Sequence, residues 1–446
     1  MRDWLATAVD VASDRVFLET PSDSVTFGDV ADRVGRWASG SMGDLEPGSR
    51  IGVWARNEPE AVAALLAVPR AGLIPLLLDP RWPAHRARRV VTGAGAVAVA
   101  GRGPDLGIPA VDANGSSQSW QAEVDPSSIH SVVFTSGTTG PPKGVRLTWG
   151  NLDASAAATR DHLDHVASDR WLAVLPMCHV GGLGIVVRSL RERSVVVLEP
   201  SFDPERAAML LGGQVTLASL VTATLRQVLD AGRRFSGVRA VLVGGGPVPA
   251  SIVASARAAG LVALATYGMT ETASGVATAS MSAPDPDWLE PLSGVELSVT
   301  GDGRIAVGGP MVAPGYLDEP DWPLPFVTRD RGVFADGRLR VVGRTGDVFA
   351  SGGENVDPLE VEDALRSIPG VRDAVVVGVP DETWGWMVAA MVELDSRASL
   401  EGVKALARSD LASFQLPRRW LVVEGLPRLG TGKVDRAAAA VVLRGE

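Results

Sequence analysis

The stretch Thr135-Ser136-Gly137-Thr138-Thr139-Gly140-Pro141-Pro142-Lys143-Gly144 follows a short apolar run, Ser131-Val132-Val133-Phe134, which predicts a buried strand. Its glycines let the backbone approach an anion closely, and its hydroxyls, backbone N–H groups and lysine can donate to phosphate oxygens. It differs from a Walker A loop, because glycine and not serine or threonine follows Lys143. The stretch therefore predicts a phosphate-binding loop at a strand end, and the alternative is a flexible polar surface loop.

The length and composition of the chain indicate a multidomain protein of the α/β type. With 446 residues the chain is too long for one hydrophobic core, so two or three domains are expected. A hydrophobic content of 46% with 50 glycines and 30 prolines suits a large α/β protein with many loops. The net charge of −10 and the lack of a long basic run argue against nucleic acid as a partner.

Cysteine usage and the apolar segments predict a cytoplasmic protein. Cys178 is the only cysteine, so no disulfide can form within the chain. The first residues lack the form of a signal peptide. The apolar stretch from Ala61 to Leu78 is interrupted by Pro69 and Arg70, which argues against a membrane span and predicts a buried helix followed by a buried strand.

Strand-like and helical patterns alternate through the first three quarters of the chain. The pattern predicts strands at 50–54, 73–78, 238–243 and 261–266, helices at 59–67 and 250–259, and a further alternation within 217–230. Such alternation is typical of parallel sheets with crossover helices. Ligands bind at the carboxyl ends of the strands in such sheets, which is where three of the motif loops lie.

The last quarter of the chain predicts a second, smaller domain. Asp336-Gly337 predicts a hairpin turn. Beyond it, Asp357 can cap a helix that has Pro358 at its first position, and a strand is expected at 374–379. We place the boundary at Gly346, which gives an N-terminal domain of residues 1–345 and a C-terminal domain of residues 346–446. The expected fold is α/β, with parallel and mixed sheets flanked by helices in the first domain and an α+β second domain.

Further motifs of glycine, hydroxyl and charged residues lie along the chain: Gly244-Gly245-Gly246-Pro247, Tyr267-Gly268-Met269-Thr270-Glu271-Thr272, Thr328-Arg329-Asp330, Gly343-Arg344, Ser351-Gly352-Gly353-Glu354-Asn355 and Pro427-Arg428-Leu429-Gly430-Thr431-Gly432-Lys433. The Glu271 carboxylate beside the Thr270 hydroxyl can hold Mg²⁺ against nucleotide phosphates. Asp330 can accept hydrogen bonds from ribose hydroxyls. Each motif alone is weak, since Tyr267-Gly268 also suits a strand-ending turn and Lys433 also suits a solvated lysine.

Taken in this order, the motifs resemble those of the adenylate-forming superfamily of acyl-CoA synthetases, stand-alone adenylation domains and luciferase, over essentially the whole chain. The resemblance implies ATP, Mg²⁺ and CoA as ligands and two half-reactions at one site. A carboxylate attacks the α-phosphorus of ATP and pyrophosphate leaves; a thiol then attacks the carbonyl of the acyl adenylate. The resemblance also implies that the small C-terminal domain is mobile and swings between the two steps near Gly346.

The resemblance assigns roles to residues of this sequence. The implied nucleotide-binding residues are Thr135, Ser136, Gly137, Thr138, Thr139, Gly140, Lys143, Gly244, Gly245, Gly246, Tyr267, Gly268, Asp330 and Arg344. The implied catalytic residues are Lys433, Thr270, Glu271 and His179, with Thr270 and Glu271 as the magnesium ligands. The implied acid-binding residues are His179, Gly181, Arg188, Ser219 and Gly268. The loop 351–355 is similar to the one that joins the thiol-entry tunnel.

The stretch 175–183 resembles the segment that lines the acyl pocket of the superfamily. The stretches 218–222 and 327–332 and the short length resemble the o-succinylbenzoate–CoA ligase branch, which serves menaquinone synthesis. The acid of that branch has a second carboxylate that does not react, and Arg188 lies among apolar residues where it could bind that group. A salt bridge from Arg188 to an aspartate or glutamate is the alternative. Arg329 is either a marker of the branch or a surface charge, and His179 is either a pocket residue or a buried structural histidine.

Other functions remain open on the sequence. The chain could be a CoA ligase for another aromatic or medium-chain acid, or an adenylation enzyme that loads a separate carrier protein. A catalytically inactive binding protein is a third reading, against which Glu271, Asp330, Arg344 and Lys433 argue. The expected partners are a small carboxylic acid, ATP and CoA, with neither nucleic acid nor a membrane span, and a homo-oligomer is compatible with the sequence.

Overall fold

The computed structural model describes residues 1–116, 120, 122–135, 142–282, 285–344, 349–351, 354–381, 385–411, 413–430 and 432–445. The helices within them are α1 (Trp4–Ala12), α2 (Phe27–Ser39), α3 (Pro59–Arg70), α4 (Ala84–Gly93), α5 (Trp149–Leu163), α6 (Val180–Glu192), α7 (Pro204–Leu211), α8 (Thr222–Asp230), α9 (Ala250–Ala259), α10 (Pro358–Ser367), α11 (Leu400–Asp410) and α12 (Arg436–Arg444).

The strands are β1 (Val16–Glu19), β2 (Ser24–Thr26), β3 (Arg50–Trp54), β4 (Ile74–Leu78), β5 (Ala96–Ala100), β6 (Ile129–Thr135), β7 (Lys143–Thr148), β8 (Arg170–Ala173), β9 (Val195–Leu198), β10 (Leu217–Val221), β11 (Ala240–Gly244), β12 (Ala263–Met269), β13 (Ser274–Thr278), β14 (Glu290–Pro291), β15 (Glu296–Val299), β16 (Arg304–Gly308), β17 (Gly315–Tyr316), β18 (Phe326–Ala335), β19 (Arg338–Arg344), β20 (Phe349–Ser351), β21 (Glu354–Val356), β22 (Val371–Asp381), β23 (Gly385–Leu394) and β24 (Arg419–Val423).

A nine-stranded sheet has the order β14-β13-β12-β11-β10-β8-β9-β1-β2. Its centre is parallel, from β12 through β11, β10 and β8 to β9 and β1, as the alternating pattern predicts. The carboxyl ends of β10, β11 and β12 therefore lie side by side. β12 extends through Tyr267-Gly268-Met269, beyond the predicted strand end at Thr266, because this segment pairs antiparallel with β13.

A six-stranded sheet has the order β17-β7-β6-β4-β3-β5. Strands β6, β4, β3 and β5 are parallel, while β7 runs antiparallel to β6 and pairs Lys143 with Thr135. The predicted phosphate loop is therefore the connection of a β-hairpin. β3 has the predicted bounds, and the 61–78 stretch is the predicted buried helix and strand, α3 and β4.

The two large sheets share one hydrophobic core, because apolar residues of both belong to a single cluster together with residues of the helices between them. Examples are Val53 and Leu77 from one sheet, Leu18 and Leu242 from the other, and Leu66 from α3. Both sheets are thus covered by buried apolar side chains, as parallel sheets require. Among the described residues, every helix is too short or too polar to cross a bilayer.

The smaller sheets carry the rest of the chain. The sheet β15-β16-β18-β19 is antiparallel and turns at Asp336 and Gly337, whose φ values of 50° and 72° fit the predicted two-residue hairpin. In the C-terminal part, β22 is buried on both faces: Ala374 and Val376 belong to one apolar cluster, and Val375 and Val377 belong to another. The predicted fold class, α/β with a small α+β C-terminal domain, is confirmed.

Candidate active site

Lys143, near the end of the predicted phosphate loop, and the predicted magnesium ligand Glu271 both contact Tyr316. Lys143, at the base of the loop, has its Nζ 3.2 Å from Glu319 Oε1 and 4.5 Å from the centroid of the Tyr316 ring. The hydroxyl of the same Tyr316 donates to Glu271 Oε1 at 3.1 Å. An exposed pair such as Lys143–Glu319 stabilises little, so the ammonium group can turn to a phosphate at small cost. The loop residues Ser136, Gly137, Thr138, Thr139 and Gly140 lie outside the described residues.

Glu271 has the surroundings of a cation ligand. It lies in a short 3-10 turn, Thr270–Thr272, that follows β12 directly. Its carboxylate accepts the hydrogen bond from Tyr316, and no arginine or lysine of the described residues forms an ion pair with it. Carboxylate and hydroxyl oxygens are the donors that Mg²⁺ prefers, so Glu271 and the neighbouring Thr270 fit the ion.

Two residues that are predicted to bind adenine and ribose, Tyr267 and Asp330, contact each other. The hydroxyl of Tyr267 donates to Asp330 Oδ2 at 2.9 Å. Asp330 lies opposite Arg344 in the pairing of β18 with β19, although the Arg344 side chain lies outside the described residues. Position 268 requires glycine because the backbone of Ser274 approaches it closely: a Cβ there would lie 2.1 Å from the Ser274 carbonyl oxygen.

Lys433 reaches this edge of the sheet from the C-terminal domain. Its Cε lies 3.4 Å from where a Cβ on Gly245 would be, and the neighbouring Gly432 similarly approaches Val221. Gly244, Gly245 and Gly246 follow β11, and Gly245 has a φ of +80°, which favours glycine. The glycine turn therefore leaves room for the lysine at the carboxyl ends of β10 and β11.

His179 lies near Lys433, whose charge influences the pKa of the imidazole. It precedes α6, and its Nε2 is 3.4 Å from Arg81 Nη2 and 3.9 Å from Asp79 Oδ2. Burial lowers the pKa of His179 to about 4; Asp79 opposes this shift, while Arg81 and Lys433 add to it. The imidazole is therefore neutral at pH 7 and can form hydrogen bonds without adding charge.

Arg188 is buried in α6, and a Cβ on Gly184 of the same helix would lie 3.3 Å from its guanidinium carbon. Gly181 lies in the first turn of that helix, where a Cβ would lie 3.1 Å from Leu175. Arg188 Nη2 donates to the Ser274 hydroxyl at 2.7 Å, and the guanidinium lies 5.4 Å from the Trp171 ring centroid. Its Nε has no hydrogen-bond partner among the residues that the structure describes. No carboxylate of the described residues pairs with it, so the alternative of a salt bridge is not what the structure has. Burial lowers the pKa of Arg188 to about 10, which leaves it charged at pH 7.

Ser219, which is also predicted to bind the acid, lies against the same tryptophan as Arg188. Its hydroxyl accepts a hydrogen bond from Trp171 Nε1 at 3.2 Å, so one indole links Ser219 with Arg188. The sequence reasoning missed Trp171, Ser274 and Tyr316, because their partners are distant in the chain. Asp79 and Arg81 could have been found, since they directly follow the apolar run of β4, as the other motif loops follow their strands.

Comparison with known protein families agrees with this geometry. The family model of AMP-binding enzymes matches residues 5–317, and that of the AMP-binding enzyme C-terminal domain matches residues 360–433. The chain belongs to the AMP-binding enzyme family. The predicted superfamily and the predicted class of enzyme, an AMP-forming acid–thiol ligase, are therefore confirmed.

Individual relatives cover the whole chain. The 2-succinylbenzoate–CoA ligase of Geobacillus kaustophilus is 32% identical over 98% of this chain and 96% of its own. The structure of o-succinylbenzoate CoA synthetase from Bacillus subtilis with the acyl-adenylate intermediate has a TM-score of 0.89 and 27% identity, with 98% of each chain covered. The same synthetase with ATP and magnesium has a TM-score of 0.88 and 26% identity, covering 98% of this chain and 99% of that one. The predicted resemblance to this branch is confirmed.

Proposed function

We propose that this protein activates 2-succinylbenzoate with ATP and transfers the acyl group to CoA, in menaquinone biosynthesis. The observation that carries the proposal is the buried, charged guanidinium of Arg188, which lacks a carboxylate partner in the described part of the chain. A buried charge is costly unless it is paired, and the second carboxylate of 2-succinylbenzoate would pair it. The full-length likeness to 2-succinylbenzoate–CoA ligases supports this assignment.

The nucleotide would lie across the carboxyl ends of β10, β11 and β12. Lys143 and the loop before it would bind the β- and γ-phosphates, and the glycines 244–246 with Tyr267 would line the adenine. Asp330 and Arg344 would bind the ribose. Glu271 and Thr270 would hold Mg²⁺, and a cation there neutralises negative charge on the phosphates.

In the first half-reaction, the acid's carboxylate oxygen attacks the α-phosphorus of ATP and the bond to pyrophosphate breaks. Both reactants are anionic, so positive charge at the meeting point lowers the barrier. Lys433, next to Gly245 and His179, would supply that charge. In the second half-reaction, the sulfur of CoA attacks the acyl carbonyl carbon and AMP leaves.

The proposed division into residues 1–345 and 346–446 has physical support. Residues beyond 349 form apolar clusters of their own, without members from the first 345 residues. Ion pairs cross the division, such as that between Arg372 and Asp230 at 3.1 Å. Gly346 itself lies outside the described residues.

The proposal is tested by measuring pyrophosphate release with ATP and a panel of acids, and thioester formation with CoA and with a carrier protein. We expect 2-succinylbenzoate and CoA to give the highest kcat/KM. Lys433→Ala should lower pyrophosphate release about 10²–10³-fold, as for loss of a group that stabilises transition-state charge. Lys404→Ala is the control, because Lys404 pairs with Glu401 on an exposed helix face. A higher kcat/KM for a monocarboxylic acid would contradict the proposed substrate.

A further inference from the structure

Arg81, which follows β4, is held in one orientation by a neighbouring carboxylate. Its Nε donates to Asp79 Oδ1 at 2.8 Å and its Nη2 to Asp79 Oδ2 at 2.6 Å. The backbone N–H of Arg81 also donates to Asp79 Oδ1, at 3.0 Å. Asp79 is itself buried. A two-point contact of this kind fixes the plane of a guanidinium, so the remaining N–H groups of Arg81 point in set directions.

Those remaining N–H groups reach the lysine turn, residues 428–434, which carries Lys433. Arg81 Nη1 donates to the carbonyl oxygen of Gly430, which lies 349 residues away in the chain and three residues before Lys433. A Cβ on Gly430 would lie 3.3 Å from the guanidinium carbon. Arg81 Nη2 also lies 3.4 Å from His179 Nε2. One side chain therefore contacts the N-terminal domain, the acid pocket and the lysine turn.

The lysine turn transmits such a contact, because it is closed by its own hydrogen bonds. The backbone N–H of Leu429 donates to the carbonyl oxygen of Lys433 at 2.8 Å, and that of Gly432 donates to the carbonyl oxygen of Leu429 at 2.8 Å. Arg428 and Val434 pair across the base of the turn. A hydrogen bond that restrains Gly430 therefore also restrains the backbone of Lys433.

We propose that Arg81 is a positioning residue for adenylation: oriented by Asp79, it holds the turn 428–434 so that Lys433 lies over the reacting groups. The inference rests on the proposed two half-reactions. In the proposed scheme Lys433 acts in the first half-reaction, so the Arg81–Gly430 contact is expected to serve that step and to be dispensable for the second. Asp79, Cys178 and His179 also bring possible metal ligands within 4.8 Å of one another. The Arg81 guanidinium, which is bound to Asp79, already supplies positive charge beside these three side chains.

Three variants separate positioning from folding. Arg81→Ala removes the contact, and Arg81→Lys keeps the charge beside Asp79 without the fixed fork. The double variant Asp79→Asn/Arg81→Gln leaves no unpaired buried charge, so it keeps the test valid if Arg81→Ala does not fold. Arg372→Ala is the matched control, because Arg372 also bridges the two domains, through Asp230, but is exposed and does not contact the turn.

Pyrophosphate release is measured with ATP and 2-succinylbenzoate, and thioester formation with preformed acyl adenylate and CoA. For Arg81→Ala and the double variant we expect kcat of the first reaction to fall about ten- to hundredfold, the range for loss of a hydrogen bond from a charged donor. We expect the second reaction to stay within about twofold, Arg81→Lys to recover part of the loss, and Arg372→Ala to match the wild type. Equal losses in both reactions, or no loss in the first, would overturn the inference.

Amide hydrogen exchange in the lysine turn provides a readout that needs no acid substrate. We expect the Leu429 and Gly432 amides to exchange faster in Arg81→Ala than in the wild type and in Arg372→Ala. Unchanged exchange in Arg81→Ala would contradict the inference. If the wild type does not release pyrophosphate with 2-succinylbenzoate, the proposed function fails, whereas the exchange result still decides the role of Arg81.

Discussion

Arg70 and Arg188 are both buried, and each lies against a tryptophan, at 5.1 Å from the Trp149 ring centroid and 5.4 Å from the Trp171 ring centroid. They differ in their polar partners. Arg70 Nη2 donates to Asp3 Oδ1 at 2.7 Å, in an ion pair whose two side chains have no exposed surface. Arg188 has no carboxylate partner among the described residues and lies beside the site rather than in the core.

The difference separates a structural arginine from one that we propose binds a ligand. Asp3 also accepts hydrogen bonds from the backbone N–H groups of Leu5 and Ala6, so the Arg70 pair fastens α1 to α3. Within the described part of the chain, Arg188 has only the Ser274 hydroxyl and an aromatic face for its charge. Burial of that kind costs folding stability, and a ligand carboxylate would recover the cost as binding energy.

The largest effect is expected for Arg70→Ala. It leaves the Asp3 carboxylate buried without its cation, which should lower the free energy of unfolding by about 3–5 kcal/mol. Arg188→Ala removes an unpaired charge and should cost much less. Denaturant unfolding of both variants is the measurement, with Arg160→Ala as a surface control. An equal loss of stability for Arg70→Ala and Arg188→Ala would end the distinction between the two arginines.

A second prediction concerns the histidine beside each arginine. His130 packs on Trp149 at 4.6 Å and His165 on Trp171 at 5.1 Å, ring centroid to ring centroid. Burial, with a smaller contribution from Arg70, lowers the pKa of His130 to about 3. Burial also lowers the pKa of His165 to about 4, opposed by Asp169.

Between the folded pKa of about 3 and the unfolded value of about 6.5, only the unfolded chain binds a proton at His130. The contribution of the neutral His130 to the free energy of unfolding is therefore complete above pH 6.5 and is lost as the pH falls below that value. From pH 7 to 5 this group should remove about 2 kcal/mol. In His130→Phe the fall in unfolding free energy over that interval should be smaller by this amount, while other histidines contribute equally to both proteins. An unchanged fall would show that His130 is not buried as described.

Part of the fold and of the candidate site could be predicted from the sequence. The strand β3 and the helix α9 have their predicted bounds, because apolar periodicity and local turn residues decide them. The loop after β6, the glycine turn after β11 and Glu271 after β12 each follow a predicted strand, which is why the sequence could indicate them, whereas Asp330 and Arg344 lie in an antiparallel sheet. The antiparallel strand β7 was not predicted, since its pairing with β6 depends on long-range register.

Other features depend on distant partners and could not be predicted. The contact of Arg81 with Gly430 joins residues 349 positions apart. Whether Arg188 has a carboxylate partner depends on every chain segment around α6, so the sequence left a salt bridge and a ligand role equally open. The proximity of Glu271 to Lys143 depends on Tyr316, whose own position gave no signal in the sequence.

The smallest effect is expected for Ser274→Ala. It removes the hydrogen bond that orients Arg188, which is worth about 1 kcal/mol, so KM for 2-succinylbenzoate should rise about fivefold. The kcat of adenylation should change little, because the reacting carboxylate is not involved. The matched control is Ser280→Ala, a half-buried serine just after the same strand whose hydroxyl contacts that of Ser282. A larger effect on kcat than on KM would show that Ser274 acts on the chemistry rather than on Arg188.

The central claim, that Arg188 pairs with the second carboxylate of the acid, is tested most directly by adenylation kinetics of Arg188→Ala with two acids. One is 2-succinylbenzoate, and the other is 4-oxo-4-phenylbutanoate, which lacks the ring carboxylate. Arg191→Ala is the control, because Arg191 lies on the same helix and pairs with Asp153.

We predict that Arg188→Ala lowers kcat/KM for 2-succinylbenzoate by about 30-fold or more, equivalent to about 2 kcal/mol, because one partner of a buried charge pair is removed. For the monocarboxylic acid, kcat/KM should stay within about twofold of the wild-type value. Equal losses for the two acids would contradict the claim and make Arg188, like Arg70, a structural residue.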